Sequence, residues 1–484
     1  MKKISFIALA LFSTLSLISC KKFLTVVPKT QMPQNVLFST EGGFKDALTG
    51  AYIQMKGTGL YGAAMTQTTL EQLTSSWDVT SNSTEQRIGL FNYADAGVEG
   101  ALEGIYANQY AVIASLNAIL AQIDAKKDVF TTSGMYETIK SECLAMRAYC
   151  HFDVLRLYGP LPGAPGSTNM LPYVTRLSTT PNPKLTYDQF KEALFKDLTE
   201  AEALVKDIDP ITQYSLAQLK SPSQTSVFNP ADTYMAYRYL RLNYYAVKGI
   251  QARAYLWFND KDKAYECAKL LIDAKNADGS AKFRLGTAAD MTALDYVLTP
   301  EHIFGLYDFS MYTKYTTYYG GGALKKGTAA TTITTQLYGN TGTDIREANL
   351  WELITLSNQA KCYIPKKYKV AEKPASLALD FKQIPMIRIS EMYLIAAEAA
   401  PQAEGQAYWA TFRTSRNIPA TTLPTDPTLR ALEIMKEFRK EFYAEGQSFF
   451  AYKRVNAPKA SFLFAPAAAT LNYLIPVPKT DAIN

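Results

Sequence analysis

The stretch from Glu142 to Pro162, ECLAMRAYCHFDVLRLYGPLP, constrains the fold more than any other in the chain. Leu144, Ala148, Phe152 and Leu155 step by four and three, which places them on one face of a helix. Arg147 and Arg156 flank that apolar stripe. The helix is predicted to stop at Gly159, because Pro160 lacks an amide proton and disfavours helical geometry in the residue before it. On pattern alone this is an ordinary core helix, and a chain of 484 residues is long enough to bury a large core in one domain or two.

Further amphipathic helices follow the same logic. Ser39 or Thr40 caps a helix whose face runs through Phe44, Ala47, Leu48, Ala51, Tyr52 and Met55, and a second helix spans about Val98 to Ala125. Others are predicted over 187–205, 231–258, 260–274, 387–399 and 405–416. These group into helix pairs near 39–125, 136–205, 231–274 and 387–417. Between the last two pairs, residues 275–385 change texture. This stretch is rich in Thr, Gly and Tyr, with short strand-like runs at 303–307 and 384–389, and irregular stretches of that length usually carry function. A tail covers 429–484, where Arg454 is expected to pair with Glu441 or Glu445 and lock the tail onto the scaffold.

Composition removes several classes. Hydrophobic residues at 48% and charged residues at 19% give a globular balance rather than disorder. The net charge of +6 carries no dense Lys/Arg run, so nucleic-acid binding is unsupported. There are two histidines, His151 and His302, which argues against histidine metal sites and histidine-dependent nucleophilic catalysis. His151 reads as a satisfied structural residue and His302 as the start of a strand. No P-loop, dinucleotide fingerprint, nucleophile elbow or zinc spacing occurs, and no cofactor is implied. Carboxylates are plentiful, but nothing singles out a catalytic pair. Cys143 and Cys150 lie about 10 Å apart along one helix, too far for a disulfide. With Cys267 they read as small buried apolar residues, while Cys362 is undetermined.

At the N-terminus Lys2-Lys3 precede an apolar run, Ile4 to Ile18, that is short for a membrane span. It ends in Leu17-Ile18-Ser19-Cys20, which resembles a lipobox. Residues 1–19 are therefore expected to be a lipoprotein signal peptide and Cys20 the lipidated residue, with several acyl chains giving a stable anchor.

Tyrosine is abundant, at 32 copies, and its flat face plus hydroxyl suits polar ligands with apolar faces. The expected ligand contacts are aromatics and polar partners in two loop-rich stretches. The first holds Trp77 and Asp78, with Asn82 and Tyr93; the second holds Tyr307, Tyr312, Tyr315, Tyr318 and Tyr319. Tyrosines packing the insertions against the helices would give the same pattern.

The stretch Glu142–Pro162 resembles the second helix of a tetratricopeptide repeat, and more specifically the signature helix of SusD/RagB lipoproteins. The shared words are Arg147-Ala148-Tyr149, Phe152 and Leu155-Arg156-Leu157-Tyr158-Gly159. Ala47-Leu48-Thr49-Gly50-Ala51-Tyr52, Gln251-Ala252-Arg253-Ala254-Tyr255, Phe438-Arg439-Lys440-Glu441-Phe442 and the closing Ile475-Pro476-Val477-Pro478 fit the same family. Lys21-Lys22 depart from it, since acidic residues commonly follow the lipidated cysteine. The resemblance runs from Cys20 to Pro478. It implies a mainly α fold of tetratricopeptide-like helix pairs with loop-rich insertions, in a single domain over 20–484. It also implies a non-catalytic, surface-facing outer-membrane lipoprotein that binds oligosaccharide or polysaccharide and delivers it to a SusC-like TonB-dependent transporter. Oligopeptide binding on the same scaffold, a periplasm-facing helical-repeat adaptor and a glycoside hydrolase are the competing readings.

Overall fold

The computed structural model describes residues 33–373 and 381–479. The apolar leader, Cys20 and Lys21-Lys22 lie outside them. Eight helices form the scaffold: α1 (Glu41–Met55), α2 (Ala96–Ile123), α3 (Met135–Tyr158), α4 (Tyr187–Val205), α5 (Tyr244–Trp257), α6 (Lys261–Asp273), α7 (Ile389–Ala399) and α8 (Gln402–Ser415). Each packs against the next in chain order, so four successive hairpins make a continuous stack. The helix starts are fixed by local chemistry. The Thr40 hydroxyl accepts from the Gly43 amide at 3.1 Å, Asp95 and Asp260 cap α2 and α6, and Thr186 with Gln189 forms a capping box on α4.

The α3 helix ends at Tyr158, before Gly159, as the Pro160 argument requires. It is not the one-faced helix its apolar spacing suggests. From Ser141 to Tyr158 every residue is buried, because neighbouring helices and loops cover it on all sides. Its charges consequently need partners inside the protein. Arg147 forks onto Asp197 at 2.7 and 2.6 Å and reaches Asn117. Asp153 accepts from Tyr61 at 2.7 Å and from Arg156. Glu142 accepts from the Tyr52 hydroxyl at 2.7 Å and from Arg238, which also grips Asp209. His151 is satisfied and neutral. Its Nε2 accepts from the Val174 amide, its Nδ1 faces the Arg147 carbonyl at 2.9 Å, and burial pushes it down to about 3. The last carbonyls of α3 are closed by the tail, since the Lys453 ammonium donates to Leu157 O at 2.9 Å and Gly159 O at 2.7 Å.

Two sequence expectations change here. Residues 231–243 do not extend α5. They form two short 3-10 turns, with Tyr237 in the left-handed region at φ +52°, and α5 begins only where the Asn243 side chain caps the Ala246 amide. Arg454 pairs with Glu398 of α7, not with Glu441 or Glu445. Those two acids, on and just after α9 (Pro427–Glu441), sit in a larger buried network. Arg388 contacts Glu301, Glu441 and Glu445, Arg416 contacts Glu301 and Glu441, and Arg346 joins Asp344, Glu437 and Glu441. The network binds the second insertion, the residue before α7, the end of α8 and the tail together.

Among the described residues the second insertion and its exit carry four strands. β1 (His302–Tyr307) pairs antiparallel with β4 (Gln383–Arg388), placing Tyr307 opposite Gln383. β2 (Trp351–Thr355) and β3 (Lys361–Pro365) form a hairpin, which buries Cys362. Cys143, Cys150 and Cys267 are also buried and free. The tail closes with α10 (Ser448–Arg454).

Candidate functional site

The two loop-rich stretches, more than 200 residues apart in sequence, meet along a seam. The Asp78 amide donates to Lys325 O at 2.9 Å, the Asp78 carboxylate takes Lys326 at 3.1 Å and the Gly327 amide, and Lys314 reaches Gly62 O. Inside the seam is an aromatic cluster. Trp77 meets Tyr319 and Tyr443 edge-to-face at 5.9 and 5.2 Å, and its indole donates to Gln67 O at 2.7 Å. Tyr319 stacks towards Tyr368 and donates to Gln67 Oε1 at 3.1 Å. Tyr315 lies against Tyr319 and donates to Glu352 at 2.9 Å.

The nine expected contact residues therefore separate. Trp77 (3% exposed), Tyr315 and Tyr319 are buried and have their faces and polar atoms occupied by the protein. Burial raises the Tyr319 hydroxyl well above its usual value, with no compensating cation. In this conformation these rings, expected as contacts, are sealed by neighbouring rings and offer no face to a sugar. Tyr93 is half-buried and fastens the tail through Asn472 O at 2.7 Å. Asn82 is exposed and holds a turn at φ +62°, its amide donating to Gln86. Asp78 is exposed but engaged in the seam. Tyr312 and Tyr318 are half-buried on the short helical segment 311–320, and Tyr307 is half-buried at the end of β1.

Sequence reasoning passed over Phe309, which is 74% exposed beside them with the Lys382 ammonium 4.9 Å from its ring centre. It also passed over a cleft of about 350 Å³ on the scaffold side of Tyr307. The cleft is lined by Tyr52 and Ile53 of α1 and Lys56 just past its end, by Tyr234, Tyr237 and Arg241 in and beside the 3-10 turns, and by Leu306 and Tyr307. Tyr52 falls on a periodic helix face and Tyr234 and Tyr237 within the predicted helix 231–258, so no local signal marks them. The density of Tyr and Arg in residues 234–241 was the available hint.

Fold and seam define a helical-repeat scaffold with two long insertions folded against each other. Residues 22–225 match the model of SusD-like proteins described as starch-binding and associating with the outer membrane, and residues 305–472 match the model of the SusD family. The two matches take in most of the chain, and the chain belongs to the SusD/RagB family. Solved structures agree in fold. A SusD homolog from Bacteroides thetaiotaomicron is 16% identical with a TM-score of 0.65, covering 94% of this chain and 98% of its own. A SusD superfamily protein from Bacteroides vulgatus is 21% identical with a TM-score of 0.61, covering 85% and 88%. A SusD-like carbohydrate-binding protein from the same species is 19% identical with a TM-score of 0.61, covering 86% and 83%. No curated protein matches the chain.

Proposed function

We propose that the protein is a non-catalytic, carbohydrate-binding lipoprotein of the outer membrane, anchored through Cys20, that passes its glycan to a SusC-like TonB-dependent transporter. The outer-membrane and starch-binding description of the matching family model supports the class. The observation that carries the site is the solvent side of the seam, where Phe309, Tyr312 and Tyr318 leave ring surface uncovered on one short segment held rigidly from behind by the Trp77–Tyr319 cluster. Sugar rings stack their C–H faces on such rings, and a pre-organised platform loses little entropy on binding. The exposed edge of Asp78 and the neighbouring threonines then take hydroxyls.

Purified protein should be retarded in gels containing starch or another soluble glycan and should leave that polymer at its original length. The double variant Tyr312→Ala, Tyr318→Ala should lose several-fold in affinity, since each aromatic contact is worth on the order of 1 kcal/mol. Retention of a peptide digest with no retardation by any glycan would overturn the carbohydrate reading in favour of oligopeptide. Cys20→Ala should release the protein from the detergent phase, and unchanged partitioning would refute the anchor.

A further inference from the structure

The cleft beside α1 has none of Phe309, Tyr312 or Tyr318 in its lining, and its chemistry differs from theirs. Its walls are tyrosine faces, but it also holds two cations, Lys56 and Arg241, the second tied to a carboxylate only by a long ion pair. Lys56 has no carboxylate partner among the described residues and makes only a 3.3 Å contact with the Tyr307 carbonyl. Arg241 is held mainly by stacking, its guanidinium carbon 3.8 Å from the Tyr234 ring centre. Its nearest carboxylate, Glu142, is 3.6 Å away, beyond hydrogen-bond range, and is already taken by Arg238 and Tyr52. Arg241 Nη1 accordingly makes no hydrogen bond. At the lip, Tyr237 is 41% exposed and sits in the left-handed region at φ +52°, a conformation a bulky L residue adopts only when its surroundings enforce it. The volume of about 350 Å³ falls at the small end of ligand cavities, which run from roughly 300 to 1,000 Å³.

We infer that this cleft is a second ligand site, selective for a carboxylated sugar ring: a hexuronate residue, with its ring against Tyr237 and Tyr307 and its carboxylate between Lys56 and Arg241. A planar carboxylate matches a guanidinium fork, and a lightly tethered guanidinium can turn towards it without abandoning a strong internal bond. A neutral hexose would offer neither cation an anionic partner.

The test is titration of the purified protein with D-galacturonate and D-glucuronate against D-galactose and D-glucose, followed by ligand-observed NMR. A uronate should bind saturably, about tenfold or more tighter than its neutral counterpart, and binding should weaken with salt. Lys56→Gln and Arg241→Gln should each lower uronate affinity about tenfold, and Tyr237→Ala several-fold, while Tyr312→Ala leaves it unchanged. Arg241→Gln touches a buried acid, so Lys56→Gln, on the rim, decides if that variant fails to fold. Equal affinity for acid and neutral sugar, no saturable uronate binding, or full uronate binding by folded Lys56→Gln would each overturn the assignment. Loss of uronate binding in Tyr312→Ala with retention in Lys56→Gln would transfer the ligand to the seam and overturn it equally. Glycan retardation by the seam is read separately with a neutral polymer, so the two proposals fail independently.

Discussion

Replacing Trp77 by alanine is the sharpest test of how the seam is built. A surface-facing tryptophan in a polar loop should lose affinity and keep stability; the buried ring observed here should do the reverse. The indole is 3% exposed, so truncation removes nearly its whole apolar area and opens a cavity between Tyr319 and Tyr443. Large aromatic-to-alanine changes of this kind cost about 3–5 kcal/mol. Two edge-to-face contacts and the hydrogen bond to Gln67 O, left without its donor, place Trp77→Ala at the upper end of that range. Trp77→Phe keeps most of the ring and should lose about 1–2 kcal/mol. Denaturant unfolding followed by the fluorescence of Trp257, Trp351 and Trp409 measures this, with the midpoint falling and the slope unchanged. Glycan affinity of the folded variant, measured well below its midpoint, should drop less than in the Tyr312→Ala, Tyr318→Ala variant. An unchanged midpoint with abolished binding would refute the packing argument and restore Trp77 as a contact residue.

Burial pushes the Glu71 carboxyl, 1% exposed beneath the seam, up to about 7. The folded state then holds a proton that the unfolded chain has released, so stability should fall as pH rises from about 4.5 to about 7. Glu71→Gln should flatten that dependence, gaining on the order of 3 kcal/mol over the parent at pH 8 relative to pH 4 in denaturant titrations, and an unchanged pH slope would exclude the effect. Gly446 sits at φ +70°, where an added Cβ would come within 1.9 Å of Met65 O. Gly446→Ala should therefore lower stability by at least about 2 kcal/mol by the same unfolding assay, and a neutral result would show that the tail does not dock as described.

The scaffold was legible in the sequence because helices announce themselves by period and caps: α1, α4 and α6 fall within a residue or two of the periodic segments, and Pro160 marks the end of α3. What periodicity hid was the degree of burial. Arg147, Asp153 and Arg156 look like the solvent edge of a stripe, yet each is satisfied inside the protein, Arg156 by Asp153 on the same helix and the other two also by Asp197 and Tyr61, which are far away in sequence and carry no sequence tag. The packing of the seam was hidden for a related reason. Loop tyrosines on the surface and loop tyrosines packed against another loop have the same composition, and only tertiary pairing separated Tyr312 from Tyr319. The apparent helix at 231–243 was broken by Asn243, whose side chain serves Ala246 and the carbonyls of Arg238 and Ile303 in place of helix continuation.

Lys453 completes the far end of α3 from 296 residues away in sequence, and Gly446 meets Glu71 across 375. A chain emerging from a ribosome or a translocation pore exposes α3 long before its final plug exists, and long-range closures of this kind form late and slowly. Until the last segment arrives, the end of α3 displays open carbonyls and Glu71 lacks the Gly446 amide that closes over it. A product truncated before residue 446 would retain most of its helices, would look folded by helical content alone, and would still present an unfinished surface to any protease or chaperone that inspects it.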